Sequence, residues 1–100
     1  VHSIIDWVYE KPQLTGQSDT VNTATLSMTW EGPNLTYNIY RRENQVDEWT
    51  FIHKIENPPE ATVKYTDSGL ESNKIYYYSL RIVKDGILLP HCNTLAIMVR

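Results

Sequence analysis

Apolar and polar positions alternate most regularly along residues 76–82 of the chain. One set of alternating positions is large and apolar: Tyr76, Tyr78, Leu80 and Ile82. The intervening set is more polar: Tyr77, Ser79 and Arg81. Because successive side chains of a β-strand point to opposite faces of a sheet, this alternation predicts a strand with one buried face and one solvated face.

Further segments have strand character, and turn residues separate them. They span residues 3–9, 25–30, 36–42, 49–55, 62–65 and 94–99. Segment 49–55 changes the parity of its apolar positions, which predicts an edge strand with a β-bulge. Lys84-Asp85-Gly86 predicts a hairpin turn, and the polar segment 15–22 predicts a loop. No segment has the period of an amphipathic helix, so we expect an all-β fold.

The number and spacing of these strands predict the architecture. About seven short strands separated by turns are typical of an antiparallel, immunoglobulin-like β-sandwich. The 100 residues suffice for a single domain, which we expect to span residues 1–100. Hydrophobic residues make up 41% of the chain, as in an ordinary globular protein. The chain begins at Val1 without a basic leader, so we expect that it was excised from a longer chain.

The segment before residue 76 has the form of a corner between two sheets. Leu70 precedes Tyr76, and mostly polar residues separate the two. A tyrosine at this place can bury its ring while its hydroxyl bonds to the main chain just upstream. We therefore expect the Tyr76 phenol to lie between two facing sheets, with its oxygen bonded to main chain near Leu70.

Four groups of residues, within roughly residues 24–100, resemble a fibronectin type III domain. They are Leu26-x-Met28-x-Trp30, Tyr37-x-Ile39-Tyr40-Arg41, Tyr65-Thr66-Asp67-x-Gly69-Leu70 and Tyr76-x-Tyr78-x-Leu80-x-Ile82. The resemblance implies that strands A, B and E form one sheet and strands C, C′, F and G the other. It also implies that Trp30 is the buried tryptophan of strand B and that Tyr76 is the corner tyrosine of strand F. The front end departs from the family, because residues 11–22 are long for the connection after strand A.

For function, the resemblance implies a non-catalytic structural or protein-interaction module of a larger multidomain protein. The alternative is an accessory β-sandwich domain of a larger, carbohydrate-active enzyme. The expected partner is a protein or an adjoining domain of the same chain, with glycan contact left open. Fold alone does not choose among these roles.

Charge and composition exclude several other partners. The net charge of −3 disfavours nucleic acid, which requires a basic surface. No apolar run reaches the ~18 residues of a membrane span, so we expect no direct membrane insertion.

A single cysteine, Cys92, rules out an internal disulfide. The compartment stays open, with an extracellular or cell-surface location favoured. Asn34-Leu35-Thr36 matches the N-glycosylation pattern, which has meaning only in a secreted protein.

No group of residues predicts catalysis. His2, His53 and His91 lie far apart, and the adjacent pair His91-Cys92 would point to opposite faces of a strand. The carboxylates of Glu43, Asp47 and Glu48 fall in a polar loop, where solvation explains them. We therefore expect no enzyme activity, no metal site and no cofactor.

Binding is the stronger hypothesis, and it rests on the solvated faces of two neighbouring strands. Tyr77 and Arg81 on strand F would share one surface with Tyr40 and Arg42 on strand C. Tyr and Arg are enriched at interface hot spots, although such pairs can also simply stabilise an exposed sheet.

Two further candidate binding sites stay open. Residues 87–89 would fold inward or dock on a neighbour, and Trp7 or Trp49 could stack on a sugar ring.

Overall fold

The computed structural model describes residues 13–60 and 63–100. Within these residues the chain forms eight strands and no helix. The strands are β1 (Leu14–Gln17), β2 (Ala24–Met28), β3 (Thr36–Arg42), β4 (Thr50–Glu56), β5 (Val63–Asp67), β6 (Ile75–Lys84), β7 (Ile87–Leu88) and β8 (Leu95–Met98). The all-β prediction is confirmed. The strand count exceeds seven because the last strand of the sandwich is divided into β7 and β8, with Pro90 between them.

The strands form two antiparallel sheets in the predicted grouping. The smaller sheet has the order β1-β2-β5, and the larger has the order β4-β3-β6-β7, with β8 also paired to β6. Along β6, the pair Val83–Leu88 joins β7 and the pair Ile75–Met98 joins β8. Strands A, B and E therefore correspond to β1, β2 and β5. Strands C, C′, F and G correspond to β3, β4, β6 and the divided pair β7 and β8.

The first strand of the structure lies where the sequence predicts a loop. β1 pairs with β2 through Leu14–Met28 and Gly16–Leu26. Of its four side chains only Leu14 is buried, so no alternation marks it in the sequence. A side chain at Gly16 would overlap the carbonyl oxygen of Thr25, so this glycine permits the close approach. The predicted first strand, residues 3–9 with Trp7, lies outside the described residues.

The core lies between the two sheets. On β6, the four alternate positions predicted to face inward belong to this core. Tyr76, Tyr78, Leu80 and Ile82 are all buried. They pack with residues of the other strands, among them Leu14, Leu26, Met28, Tyr37, Ile39, Val63 and Ile97. Each such large apolar side chain contributes roughly 1.5–3 kcal/mol by leaving water. β6 therefore contributes four residues to the core, more than any other strand.

The resemblance implies that Trp30 is the buried tryptophan of strand B. In the structure Trp30 lies outside that strand and is only partly buried. β2 ends at Met28, so Trp30 lies in the following connection and packs against the margin of the core. Its Nε1 donates a hydrogen bond to the Pro58 carbonyl at 3.1 Å. Tyr37 instead fills the interior, fully buried, and its hydroxyl accepts a hydrogen bond from the Glu31 amide at 2.8 Å.

The corner at Tyr76 is confirmed. The ring is 4% exposed, and its hydroxyl accepts a hydrogen bond from the Glu71 amide at 2.9 Å. Leu70, one residue before Glu71, is buried with it. This contact fixes the crossing of the chain from the smaller sheet to the larger one.

A partly buried ionic contact joins the two sheets. Arg41 occupies an inward position of β3, and its Nη1 lies 2.7 Å from Oδ2 of Asp67 on β5. The Tyr78 hydroxyl donates a hydrogen bond to the same oxygen at 2.8 Å. Burial, and then the hydrogen bond to Asp67, raise the pKa of Tyr78 above its ordinary value. Inward charges interrupt the hydrophobic alternation, so the sequence pattern does not reveal this contact.

Candidate functional site

The strand register brings the predicted binding residues together on the outer face of the larger sheet. Between β3 and β6, Asn38 is opposite Arg81, Tyr40 is opposite Ser79, and Arg42 is opposite Tyr77. Directly opposed side chains of neighbouring strands lie within contact distance. Tyr40, Arg42, Tyr77 and Arg81 therefore lie on the same face of the larger sheet.

β4 adds aromatic side chains to this surface because of its bulge. The register of β3 with β4 shifts between Ile39 and Tyr40, so that Ile39 is opposite His53 and Tyr40 is opposite Phe51. β4 is an edge strand of the sheet, so the predicted edge strand with a bulge is confirmed. The shift places Phe51 on the same outer face as Tyr40.

Four rings form an outer aromatic cluster, which consists of Tyr40, Trp49, Phe51 and His91. The Tyr40 ring centroid lies 5.9 Å from Phe51 and 5.2 Å from His91, both in edge-on geometry. His91 stacks on Trp49 at 5.5 Å with an interplanar angle of 27°. Arg42 completes the arrangement, with its guanidinium carbon 4.0 Å from the centre of the Trp49 ring. This is the short range at which cation–π attraction operates.

Ser79, predicted to face solvent, is instead fully buried. Its hydroxyl lies 3.1 Å from Nδ1 of His91 and within 3.5 Å of the Cys92 carbonyl oxygen. The segment before β8 thus covers the middle of the outer face. A serine–histidine contact normally suggests a nucleophile with its base. Here the hydroxyl is fully buried, and the contact ties the segment that contains His91 to β6.

The two arginines of the surface also make internal hydrogen bonds. Arg81 Nε donates to the Leu89 carbonyl at 2.6 Å, and Arg42 Nη1 donates to the Asp47 carbonyl at 3.1 Å. Arg42 Nε and Asn38 Oδ1 are enclosed without a hydrogen-bond partner among the described residues. The arginines are therefore held in place, and substituting either one would disturb local structure as well as the surface.

Exposed apolar groups lie at two margins of the outer face, one of them within the aromatic cluster. Phe51 is 53% exposed. On the far side, Ile75 and Met98 are cross-strand partners and are 40% and 57% exposed. Half-buried Tyr77 lies two positions from Ile75 and shares its outward parity. The outer face thus exposes aromatic and aliphatic groups at both of its margins.

The segment after the predicted hairpin is only partly folded inward. Asp85 and Gly86 both have positive φ, 52° and 78°, as a type I′ turn requires. Ile87 is 62% exposed and Leu88 is 43% exposed. Leu89 packs against the core. The expectation of inward packing therefore holds for Leu89 alone.

The remaining candidate groups make contacts within the domain. Across residues 13–60 and 63–100, no group of three or more His, Cys, Asp or Glu side chains is arranged to hold a metal ion. Glu43 bonds to Lys74, which lowers the pKa of the Glu43 carboxyl. Asp47 bonds to Asn44 at 2.7 Å. The described part of the chain contains no helix long and apolar enough to cross a membrane.

Sequence reasoning found the β3–β6 part of the surface but missed His91 and the place of Phe51. Trp49 and Phe51 are two positions apart, so their side chains point to the same face of a strand. With the position of the bulge known, this spacing would have placed both residues beside Tyr40. His91 lies between strands, in a segment without periodicity, so no sequence pattern indicates its contact with Trp49.

Comparison with known proteins identifies the fold. No protein-family model and no curated protein matches the sequence. Among solved structures, an Fn3-like protein from Clostridium thermocellum is similar at 26% identity, with a TM-score of 0.73 over 91% of this chain and 93% of that chain. A structure described as a myokine matches at 17% identity and a TM-score of 0.70, over 90% and 96% of the two chains.

A domain named in its description as fibronectin type III is also similar. It derives from the human KIAA0970 protein, with 13% identity and a TM-score of 0.61, over 89% of this chain and 72% of that one. Together with the two-sheet topology and the Tyr76 corner, these similarities show that this chain has the fold of a fibronectin type III domain.

Proposed function

We propose that this domain is a non-catalytic module that binds a protein partner, or an adjoining domain of its own chain, through the outer face of the larger sheet. Its fold supports a structural or interaction role. The observation that carries the proposal is the outer aromatic cluster, with Phe51 53% exposed at its margin. Tyr, Trp and Arg are the side chains most enriched at interface hot spots.

The cluster also meets the physical requirement for efficient binding. Stacking on His91 and Arg42 holds the Trp49 ring, and edge contacts hold Tyr40. Ordering a flexible side chain at an interface costs ~0.5–1.5 kcal/mol, and a side chain that is already held avoids most of that cost. The surface is therefore preorganised for a partner.

Site-specific photocrosslinking tests the proposal. A photoreactive amino acid at position 51 or 77 samples the outer face of the larger sheet, and one at the exposed position 66 samples the outer face of the smaller sheet. We expect a defined crosslinked product from positions 51 and 77 in the native cell, and none from 66. Equal crosslinking at all three positions, or none at 51 and 77, would contradict the proposal.

Phe51→Ala is the matched loss-of-binding variant. Because Phe51 is 53% exposed, truncation should change the free energy of unfolding little, while removing a ring from the interface. We expect the crosslink from position 77 to weaken at least several-fold with an unchanged unfolding midpoint. Thr66→Ala, on the opposite face, should leave the crosslink intact.

A second candidate function is supported by exposed Ile87 and Leu88. Exposed adjacent aliphatic groups indicate a docking surface, and an accessory domain of a larger enzyme would pack this tip against the catalytic domain. In the parent protein, amide hydrogen exchange at 87–88 would then be slow and would accelerate when the domain is separated. Equally fast exchange in both forms would exclude this role.

A further inference from the structure

Asn34-Leu35-Thr36 is the one Asn-x-Ser/Thr tripeptide in the sequence, and the function proposed for the outer face does not use it. It lies in the connection between β2 and β3 and runs into the first residue of β3. Leu35 points inward and is 6% exposed. Asn34, on the other side of the chain, is exposed, and Thr36 is half-buried.

Asparagine suits the backbone at several turns of this domain, and residue 34 is at one of them. Asn22, Asn34, Asn57 and Asn73 all have positive φ, a conformation that asparagine tolerates better than most residues. Asn22 Nδ2 also donates to the Leu70 carbonyl at 2.7 Å, and Asn57 Oδ1 accepts from the Asn34 amide at 2.9 Å. The Asn34 carboxamide makes no hydrogen bond to another described residue.

The backbone of the tripeptide is nevertheless fixed. Besides the bond from the Asn34 amide to Asn57 Oδ1, the Leu35 carbonyl accepts a hydrogen bond from the Asn57 amide at 2.8 Å. A bulky group on the Asn34 side chain would therefore project into solvent from an anchored turn. Neither of these two hydrogen bonds involves the Asn34 side chain, so the group would break neither.

We propose that Asn34 is an N-glycosylation acceptor when the chain passes through a secretory pathway. The donor is an oligosaccharide linked to a polyprenyl pyrophosphate. The Asn34 Nδ2 forms a bond to the anomeric carbon and loses a proton, while the bond from that carbon to the pyrophosphate oxygen breaks and the pyrophosphate leaves with the electron pair. The folded domain accommodates the product because the side chain is exposed and unengaged.

The glycan would leave the Arg42 end of the outer face open. Asn34 precedes β3, and Arg42 is the last residue of that strand. At about 3.3 Å per residue, the six steps from Thr36 to Arg42 span roughly 20 Å. The same end of the sheet holds Val83, opposite Thr36, and Leu88, opposite Val83. A glycan at Asn34 would thus lie towards the exposed Leu88 and away from the Arg42 end.

The experiment is to secrete the full 100-residue chain from a glycosylating eukaryotic host and to measure its intact mass before and after treatment with peptide N-glycosidase. We expect one glycan, lost on treatment and leaving aspartate at position 34. Asn34→Gln and Thr36→Ala should abolish the added mass, and Thr36→Ser should retain it. Asn73 is exposed with φ 61°, as at Asn34, so Ile75→Thr creates a matched acceptor in the same domain.

Three results would overturn the proposal. The first is an unmodified Asn34 in a chain whose Ile75→Thr variant is glycosylated at Asn73. The second is an added mass that persists in Asn34→Gln. The third is a glycan confined to an aggregated fraction, since the site is proposed to be compatible with the fold. In the expected case, the glycosylated and enzymatically deglycosylated domains both unfold cooperatively, and the glycosylated form does so at the same or a higher temperature.

Discussion

Tyr76 and Tyr78 lie two positions apart on β6, and both rings are buried. Their hydroxyls nevertheless make bonds of different kinds. The Tyr76 oxygen accepts from a backbone amide, whereas the Tyr78 hydroxyl donates to the Asp67 carboxylate. One bond sets the course of the chain at a corner, and the other joins two sheets. Each therefore has its own experimental signature.

Replacing Tyr76 by Phe removes the acceptor of the Glu71 amide and keeps the ring. The stranded amide should lower the free energy of unfolding by roughly 1–3 kcal/mol, measured by urea denaturation. Tyr77→Phe is the matched control, because Tyr77 faces outward and is only half-buried; its effect should stay within about 0.5 kcal/mol. Equal effects of the two substitutions would mean that the corner bond contributes nothing.

The raised pKa of Tyr78 predicts alkaline instability. Burial, and then the bond to Asp67, keep this phenol protonated in the folded state above the ordinary value of 10.0. The unfolded chain releases that proton near pH 10, so it binds fewer protons than the folded chain at higher pH. The contribution of this phenol to the free energy of unfolding is therefore fully present below pH 10. Above pH 10 the free energy of unfolding falls, by up to about 1.4 kcal/mol per pH unit for each such tyrosine.

Urea unfolding at several pH values between 8 and 11.5 measures this loss. Burial also raises the pKa values of Tyr37 and Tyr65, so these two residues contribute in the same direction. Tyr78→Phe should reduce the slope of stability against pH above 10, because one titrating phenol is gone. An identical slope in the variant would contradict the assignment to Tyr78.

Among the strands, the pairing of β1 with β2 shows how one small residue sets the distance between two strands. Gly16 is opposite Leu26. An added Cβ would overlap the Thr25 carbonyl oxygen and lie 3.2 Å from Leu26 Cα. These contacts are with backbone, which cannot rotate away as a side chain can. The fit of β1 therefore depends on the absence of a side chain.

Gly16→Ala should destabilise the domain by about 1–3 kcal/mol through this steric overlap. Amide hydrogen exchange should report the cause, with faster exchange in β1 and in its partner β2 than in β6. Thr15→Ala, at the exposed neighbouring position, should leave both measurements nearly unchanged. A neutral Gly16→Ala would show that β1 can move away from β2 at no cost.

The strands that could be predicted from the sequence are those whose side chains alternate between core and solvent. β6 and β2 show this alternation clearly, and both overlap predicted segments. β1 has a single buried side chain, and β7 has two exposed residues, so neither shows the pattern. For the surface, outward parity was enough to bring Arg42 and Tyr77 together. It could not place His91, which reaches the outer face from a segment between strands.

At the scale of the whole molecule, the contact between Arg41 and Asp67 is a partly buried charge pair that joins the two sheets, with the Tyr78 hydroxyl bonded to the same carboxylate oxygen. Removing one partner of such a pair leaves an uncompensated buried charge. The Arg41 side chain is 28% exposed and that of Asp67 is 7% exposed. Solvent therefore screens part of the interaction, and its loss should cost less than the loss of a fully buried pair.

Asp67→Ala should lower the free energy of unfolding by about 2–4 kcal/mol, because it strands both the guanidinium and the Tyr78 hydroxyl. Arg41→Met combined with Asp67→Leu and Tyr78→Phe removes every member of the network and replaces it with apolar volume. Such replacements are often neutral or stabilising, so the triple variant should recover at least half of the loss, as measured by urea denaturation. A triple variant less stable than Asp67→Ala would contradict this expectation. It would mean that the ionic and hydrogen-bonded network stabilises the sandwich more than apolar side chains of similar volume do.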